Sequence, residues 1–250
     1  MKKQQIAIIA KTINFELLDV MTARFKVPFT IITPKPTEMG NRNARVIYDN
    51  DLLNRNEFFQ KCTHPRPGWL YQQFLKYQAV IESDFENTLI IDGDSLIIDE
   101  KFLTTFSLYH TRKTIENFYN NFISRTLGDT FVSSKNYITN QMNFNKEALL
   151  SMLNTAFGSH EEYHDFIMNF LQQNPNAEFS EYQTYAAWLT NKRVSRRELI
   201  RVFRRHDFIK INPLDSLKKY DLIAFEDGHK TDRLREIRAK LLYLFSMNLG

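Results

Sequence analysis

The 250 residues are 43% apolar and 25% charged with a net charge of +4, ordinary values for a soluble chain long enough to bury one full core. Seven Gly and seven Pro argue against disorder, no repeat is present, and no run of 18 apolar residues could span a bilayer. The lone Cys62 excludes an internal disulfide and fits a reducing compartment; the start, MKKQQIAIIAK, has too short an apolar run for a signal peptide, so a cytoplasmic location is expected.

In chain order, Gln5–Ala10 (QIAIIA) is β-branched and apolar and predicts a buried first strand. Phe15, Leu18, Met21 and Phe25 fall at helical spacing, and Pro28 ends that helix. PFTIITPK and then NARVIYD (Asn43–Asp49) predict a second and a third strand, followed by a polar loop with HPRPG. WLYQQFLKYQAVI, from Trp69 to Ile81, has helical periodicity, and TLIIDGDSLIID brings an apolar strand that ends in acids. This alternation implies a mainly parallel sheet covered on both faces, with ligands at the carboxyl ends of its strands. Asp92 and Asp94 sit at such an end.

Beyond Asp99 the pattern predicts a short helix over Phe102–Phe106 and a strand in FVSSKNYIT. Helices follow over Asn145–Leu153, Glu161–Gln172 and Ser180–Leu189, the last with Ser180 as N-cap and Gln183 in the capping-box position. DLIAFEDGHK predicts a strand and a turn, and Asp232–Asn248 a basic amphipathic helix. Basic residues are unevenly placed. Lys192, Arg193, Arg196, Arg197, Arg201, Arg204 and Arg205 face only Glu198, and the stretch from Lys230 to Lys240 is basic again. Such segments are either a solvated helix face or a docking surface for anionic lipid headgroups, phosphorylated glycans or nucleic acid. No aromatic-and-basic RNA motif or zinc pattern accompanies them, so nucleic acid is not an expected partner, and peripheral docking on an anionic inner-membrane surface or a phosphorylated acceptor is preferred.

Two carboxylates one residue apart at a strand end can turn toward one hard cation. Mg²⁺ or Mn²⁺ takes oxygen ligands and keeps substrate phosphates and water in its shell, where it assists a diphosphate leaving group. Gly93 between them would let a phosphate approach the backbone. The Asp-Gly-Asp string alone is also compatible with a plain turn. A rival chemistry uses the same letters: haloacid-dehalogenase-like phosphohydrolases place an Asp nucleophile and an Asp acid/base after an apolar strand. There the motif follows the first strand and a downstream acid pair holds the metal; here it follows some ninety residues of alternation, and Glu226 and Asp227 are the nearest downstream pair. A third reading is a non-catalytic basic module.

GWLYQQFLKYQAV, LIIDGDSLI, ITNQMNFNKEALL and FSEYQTYAAW, in that order, resemble a family of bacterial GT-A-type glycosyltransferases, sugar transferases of surface-polysaccharide and lipooligosaccharide synthesis. The likeness spans about Ile6 to Trp188, with its specific part from Gly68 to Trp188. It implies an α/β, GT-A-like fold: a mainly parallel Rossmann-like sheet flanked by helices, with a helical basic C-terminal region. Residues 1–230 would form the catalytic domain, 1–100 its nucleotide-sugar-binding half and 101–230 its acceptor half, and 231–250 the basic helix. The implied reaction is metal-dependent transfer of a sugar from a nucleoside-diphosphate sugar to a glycan or lipid-linked glycan acceptor.

Carried over residue by residue, Asp92 and Asp94 match the metal and diphosphate motif. Gln73 and Lys76 match polar donor-contact positions of the preceding helix, where they lie on one side and Lys76 suits a phosphate or the Asp pair itself. Glu181 and Tyr182 match a Ser-Glu-Tyr motif, with Glu181 facing the acceptor as base or binding carboxylate; the alternative is an acid favoured by the helix dipole. Gln141 and Asn143 occupy the position where such folds approach the donor sugar. GT-A enzymes in general add a late metal ligand, for which DLIAFEDGHK offers His229, with Glu226 or Asp227 as substitutes and Lys230 as a diphosphate partner. HEEYH, with His160 and His164, imitates a zinc-protease motif, but it opens a polar helix with no third ligand and is discounted.

Overall fold

The computed structural model describes residues 2–35, 38–40, 42–104, 106–192, 196–200, 202–203 and 220–224. The first half follows the predicted alternation: β1 (Lys2–Ile9), α1 (Phe15–Arg24), β2 (Phe29–Thr33), β3 (Ala44–Tyr48), α4 (Pro67–Ile81) and β4 (Phe85–Asp92). The segment expected to be a polar loop contains two short helices, α2 (Asp49–Leu52) and α3 (Arg55–Lys61). The Asn54 side chain caps α3 by accepting from Glu57 N. α4 begins with Pro67 in its first turn, where the missing N–H is no loss.

Past Asp92 the chain turns at Gly93 and Asp94 into β5 (Ser95–Ile97), then α5 (Lys101–Thr104), β6 (Ser107–Thr114) and α6 (Asn117–Thr126). FVSSKNYIT is a 3-10 turn (Asp129–Phe131), a loop and a two-residue strand β7 (Lys135–Asn136), less than the expected strand. β8 (Gln141–Asn145), α7 (Lys146–Ala156), α8 (Tyr163–Gln173) and α9 (Glu181–Asn191) follow, then β9 (Arg196–Leu199), β10 (Val202–Phe203) and β11 (Leu222–Ala224). β9 lies inside the basic cluster and pairs in parallel with β6, so Arg196 and Arg197 sit on a strand, while Lys192 is the C-cap of α9. The segment holding Glu226, Asp227, His229 and Lys230, and the predicted basic helix, lie outside the described residues.

The central sheet has the order β3-β2-β1-β4-β8, parallel except for β8, which is antiparallel to β4. β1 to β3 step outward on one side; α4 then carries the chain back past β1 to place β4 on its other side. The strand order therefore reverses between β1 and β4, and a sheet of this kind binds ligands in the crevice at that point. Two small sheets, β10-β11-β5 and β7-β6-β9, extend the second half.

Strand alternation divides the core. Ala7, Ile9, Ile90, Met142 and Phe144 face α4, α7 and α9. Ile6, Ile8, Leu89 and Ile91 face α1, β5 and β11. α9 is buried at nearly every position, Glu181 to Leu189, as befits a helix enclosed on all sides.

Candidate functional site

Asp92 shares strand parity with Thr88 and Ile90, so its carboxylate turns toward the α4 and α9 face. There it meets the ammonium of Lys76, which is 3% exposed and lies 2.8 Å from Asp92 Oδ1 and 2.7 Å from Glu181 Oε1. Glu181 is 1% exposed. The Gln73 amide, one helical turn before Lys76, donates to the Glu181 carboxylate, nearest Oε2, when its nitrogen faces it. Tyr182 lays its ring 4.2 Å from the ammonium and points its hydroxyl at Asp92 Oδ1 from 3.5 Å. Tyr77 OH donates to the Glu181 carbonyl at 2.8 Å, fixing the first turn of α9. Ser180 caps that turn through Gln183 N, as predicted, but the Gln183 side chain does not complete a capping box. It reaches across to β7, accepting from Tyr137 N at 2.9 Å and donating to Lys135 O at 3.0 Å.

The electrostatics follow from burial and proximity. Burial acts to lower the Lys76 pKa, but Asp92 and Glu181 outweigh it and hold the ammonium well above the ordinary lysine value. Burial raises the Glu181 pKa, with Lys76 opposing and Asp92 adding to the rise. Of the partners the sequence allows for Lys76, Asp92 is the one it meets. Glu181 meets Lys76 and Gln73 instead of open solvent.

Asn140 holds the other side of Asp92 and is absent from the sequence-derived site. Its Nδ2 donates to Asp92 Oδ2 at 3.1 Å, and its carbonyl accepts Asp92 N at 3.1 Å. It does so from φ +61°, a left-handed conformation that Asn tolerates better than most residues. Among the described residues it is the one non-glycine with positive φ. The only sequence hint was an Asn between two predicted elements, too common a signal to single out.

Gln141 and Asn143 are not brought to this cluster. Paired opposite Ile91 and Leu89, they point to the α1 and β5 face, where Asn143 Nδ2 donates to the Phe102 carbonyl at 3.3 Å. Gln141 is 1% exposed, and neither of its amide atoms has a hydrogen-bond partner among the described residues. Gly93 lies between the two acids, but the close neighbour that requires a glycine is protein: an added Cβ would run into Ala10, 3.1 Å from its Cα. Ala10 follows β1, so Gly93 and Ala10 pack together where the strand order reverses.

Asp92 and Asp94 present an all-oxygen donor set of the kind a hard divalent cation takes. Lys76 and Tyr182 approach Asp92 Oδ1 and Asn140 approaches Oδ2, which leaves a lone pair on Oδ2. The set fits, with the rest of the shell left to substrate and water: among the described residues no group of three or more His, Cys, Asp or Glu is placed to hold an ion.

HEEYH is not a metal motif in the fold. α8 begins at Tyr163, leaving His160 outside it and bonded to Asn154 at 3.0 Å. The His164 ring packs edge-on to Phe74, 4.9 Å between centroids, with Nε2 3.2 Å from Gln78 Nε2. Burial lowers its pKa to about 4 from the ordinary 6.5. A depressed value means the stabilisation is present above pH 6.5 and lost as pH falls through 4. The shift corresponds to about 3 kcal/mol. Urea unfolding of the wild type and His164→Leu should show the wild type losing about that much more stability between pH 7 and pH 4; parallel losses would refute it.

No protein-family model matches the sequence, and no curated protein matches it either. Solved structures do match in fold. The galactosyltransferase LgtC, in complex with donor and acceptor sugar analogs, is 11% identical over 95% of this chain and 96% of its own, with a TM-score of 0.50. The glycosyltransferase GlyE of Streptococcus pneumoniae TIGR4 is 9% identical with a TM-score of 0.48; the match covers all of this chain and 62% of GlyE. A glycosyltransferase involved in glycosylation of the major capsid of PBCV-1 is 10% identical over 95% of this chain and 99% of its own, with a TM-score of 0.41. At these identities the likeness is one of fold: the chain has the mainly parallel, GT-A-like architecture expected from its sequence, shared with LgtC.

Proposed function

We propose that the chain is a glycosyltransferase that moves a sugar from a nucleoside-diphosphate sugar to a glycan acceptor, with a divalent cation held by Asp92 and Asp94. The observation that carries this is the position of the acidic turn. In a GT-A-like fold, two carboxylates stand where the strand order reverses, one of them locked in place by Lys76 and Asn140. An acid held so firmly at a ligand crevice is preorganised for electrostatic work on a leaving group.

When bound, the cation would supply Lewis-acid neutralisation of the departing diphosphate. The chain's own residues supply the rest. Asn140 and Lys76 aim the Asp92 carboxylate; Glu181, itself held by Gln73, holds Lys76; Asp94 is the second oxygen donor. His229 and Lys230 keep the roles the resemblance implies, as a further metal ligand and a diphosphate partner.

Thermal unfolding in the presence of nucleotide sugars tests this reading. A donor at 100 times its Kd should add about 2.7 kcal/mol of stability, and only with Mn²⁺ or Mg²⁺ present. A panel of uridine, guanosine and cytidine diphosphate sugars that leaves the midpoint unmoved with metal would overturn it.

A further inference from the structure

A second cavity, away from Asp92, has no role in the reading above. It is an open cleft of about 350 Å³ between the segment 130–135 and the last turns of α9. Its lining is rich in short polar groups: Thr130, Ser133, Ser134 and Thr190 bring hydroxyls, Asn191 an amide and Lys135 an ammonium. Phe131, Val132 and Ala187 supply a small apolar floor, stiffened by Phe131 stacked on Trp188 at 5.7 Å and 11°.

Two features make this a built cleft. The walls are tied together: Asn191 Nδ2 donates to the Thr130 carbonyl at 3.1 Å, and the buried Gln183 of α9 grips Lys135 O and Tyr137 N. Thr190 also carries a hydroxyl oxygen that is buried and has no partner among the described residues. A hydroxyl in that state favours a ligand that brings its own donor or acceptor.

Both walls lead to Asp92. One continues through β7 to Asn140, which holds the Asp92 carboxylate; the other is α9, whose first turn carries Glu181 and Tyr182. At 1.5 Å per residue, Ala187 and Asn191 lie roughly 9 and 15 Å along the helix from Glu181. That is the reach of a short oligosaccharide.

We propose that this cleft binds an oligosaccharide, a chain of hydroxyl-rich rings whose polar edges meet the hydroxyl and amide lining and whose apolar faces meet Phe131 and Val132. Its use as the acceptor subsite rests on the glycosyltransferase reading; glycan binding itself does not. Among the described residues Lys135 is the one cationic side chain that lines it, where a nucleotide or a lipid headgroup would need clustered cations.

The test is retention of the full chain on an array of neutral and acidic bacterial-type oligosaccharides, beside two variants that fill the cleft from opposite walls, Ser134→Trp and Thr190→Phe. Ser134 is exposed and its variant should keep the wild-type unfolding midpoint. The expected result is glycan binding by the wild type and by Asp92→Ala, weakened about tenfold or more in either cleft variant that keeps that midpoint. No glycan retained by the wild type, or retention undiminished in a folded cleft variant, overturns the proposal. Failure of the nucleotide-sugar reading shows separately, as absence of metal-dependent donor binding in the wild type.

Discussion

Asp92→Asn should remove metal-dependent turnover of a nucleotide sugar, by about 10²–10³-fold or more, while leaving the fold intact. The carboxamide keeps the shape of the side chain and can still accept from Asn140. Lys76 loses one anionic neighbour but keeps Glu181 at 2.7 Å. Lys76 is buried, so losing one of its two anionic partners should cost about 1–3 kcal/mol, small enough for the variant to stay folded. What disappears is the negative charge at the crevice. Release of nucleoside diphosphate from the donor with water as acceptor, measured against Mn²⁺ concentration, reads this directly. A variant that turns over like the wild type would remove Asp92 from the chemistry.

Lys76→Met should act in the opposite order, on the fold first. It leaves Glu181 as a buried carboxylate without its counter-ion, a change that costs about 3–5 kcal/mol, or on the order of 10 °C in midpoint for a chain of this size. Glu181 would escape by taking a proton. Its folded pKa, already raised by burial, would rise further, so the missing stability is smallest in acid and grows as pH climbs through that value. Urea unfolding at pH 5 and pH 8 separates this from a packing defect, which would be the same at both. Adding Glu181→Gln removes the orphan charge, and the double variant should recover most of the stability, since neutral groups of similar volume replace a buried pair at little cost. A single variant as stable as the wild type at pH 8 would show that the bridge contributes nothing.

The two substitutions bear differently on what could be read in advance. Asp92 was legible because its signal is local: an apolar strand that ends in acids after several strand and helix units places the acids at a carboxyl edge. α4 was legible for the same reason, from one helix's own periodicity. The bridge was not, because Lys76 and Glu181 are 105 residues apart and only the packing of α4 against α9 brings them together. Gln141 and Asn143 show the complementary error. Chain proximity to the acidic strand suggested a shared site, but the strand QMNFN went unrecognised, and strand parity sends both amides to the opposite face of the sheet. β6 and α6 were hidden by composition. The outer half of β6 is exposed and charged, and α6 is rich in Asn, a residue with weak helical preference. Asn140 could not be found from pattern at all, since its role depends on a backbone angle.

One pairing has a consequence for how the molecule comes to exist. β5, which leads directly out of the acidic turn, pairs with β11 through Leu96↔Ile223 and Ile97↔Leu222. The strand that covers it is made some 125 residues later. At ribosomal speeds of about 5–20 residues per second, Leu96 and Ile97 wait roughly ten seconds for that strand, beside an Asp92 whose partners Asn140 and Tyr182 are themselves still to come. Leu96 and Ile97 are fully buried in the folded protein and form an open strand edge until then. Synthesis therefore passes through a stage in which the segment beside the acidic turn is open to another chain before the turn itself is held in place. The interval between residues 97 and 222 is when a chaperone would matter most.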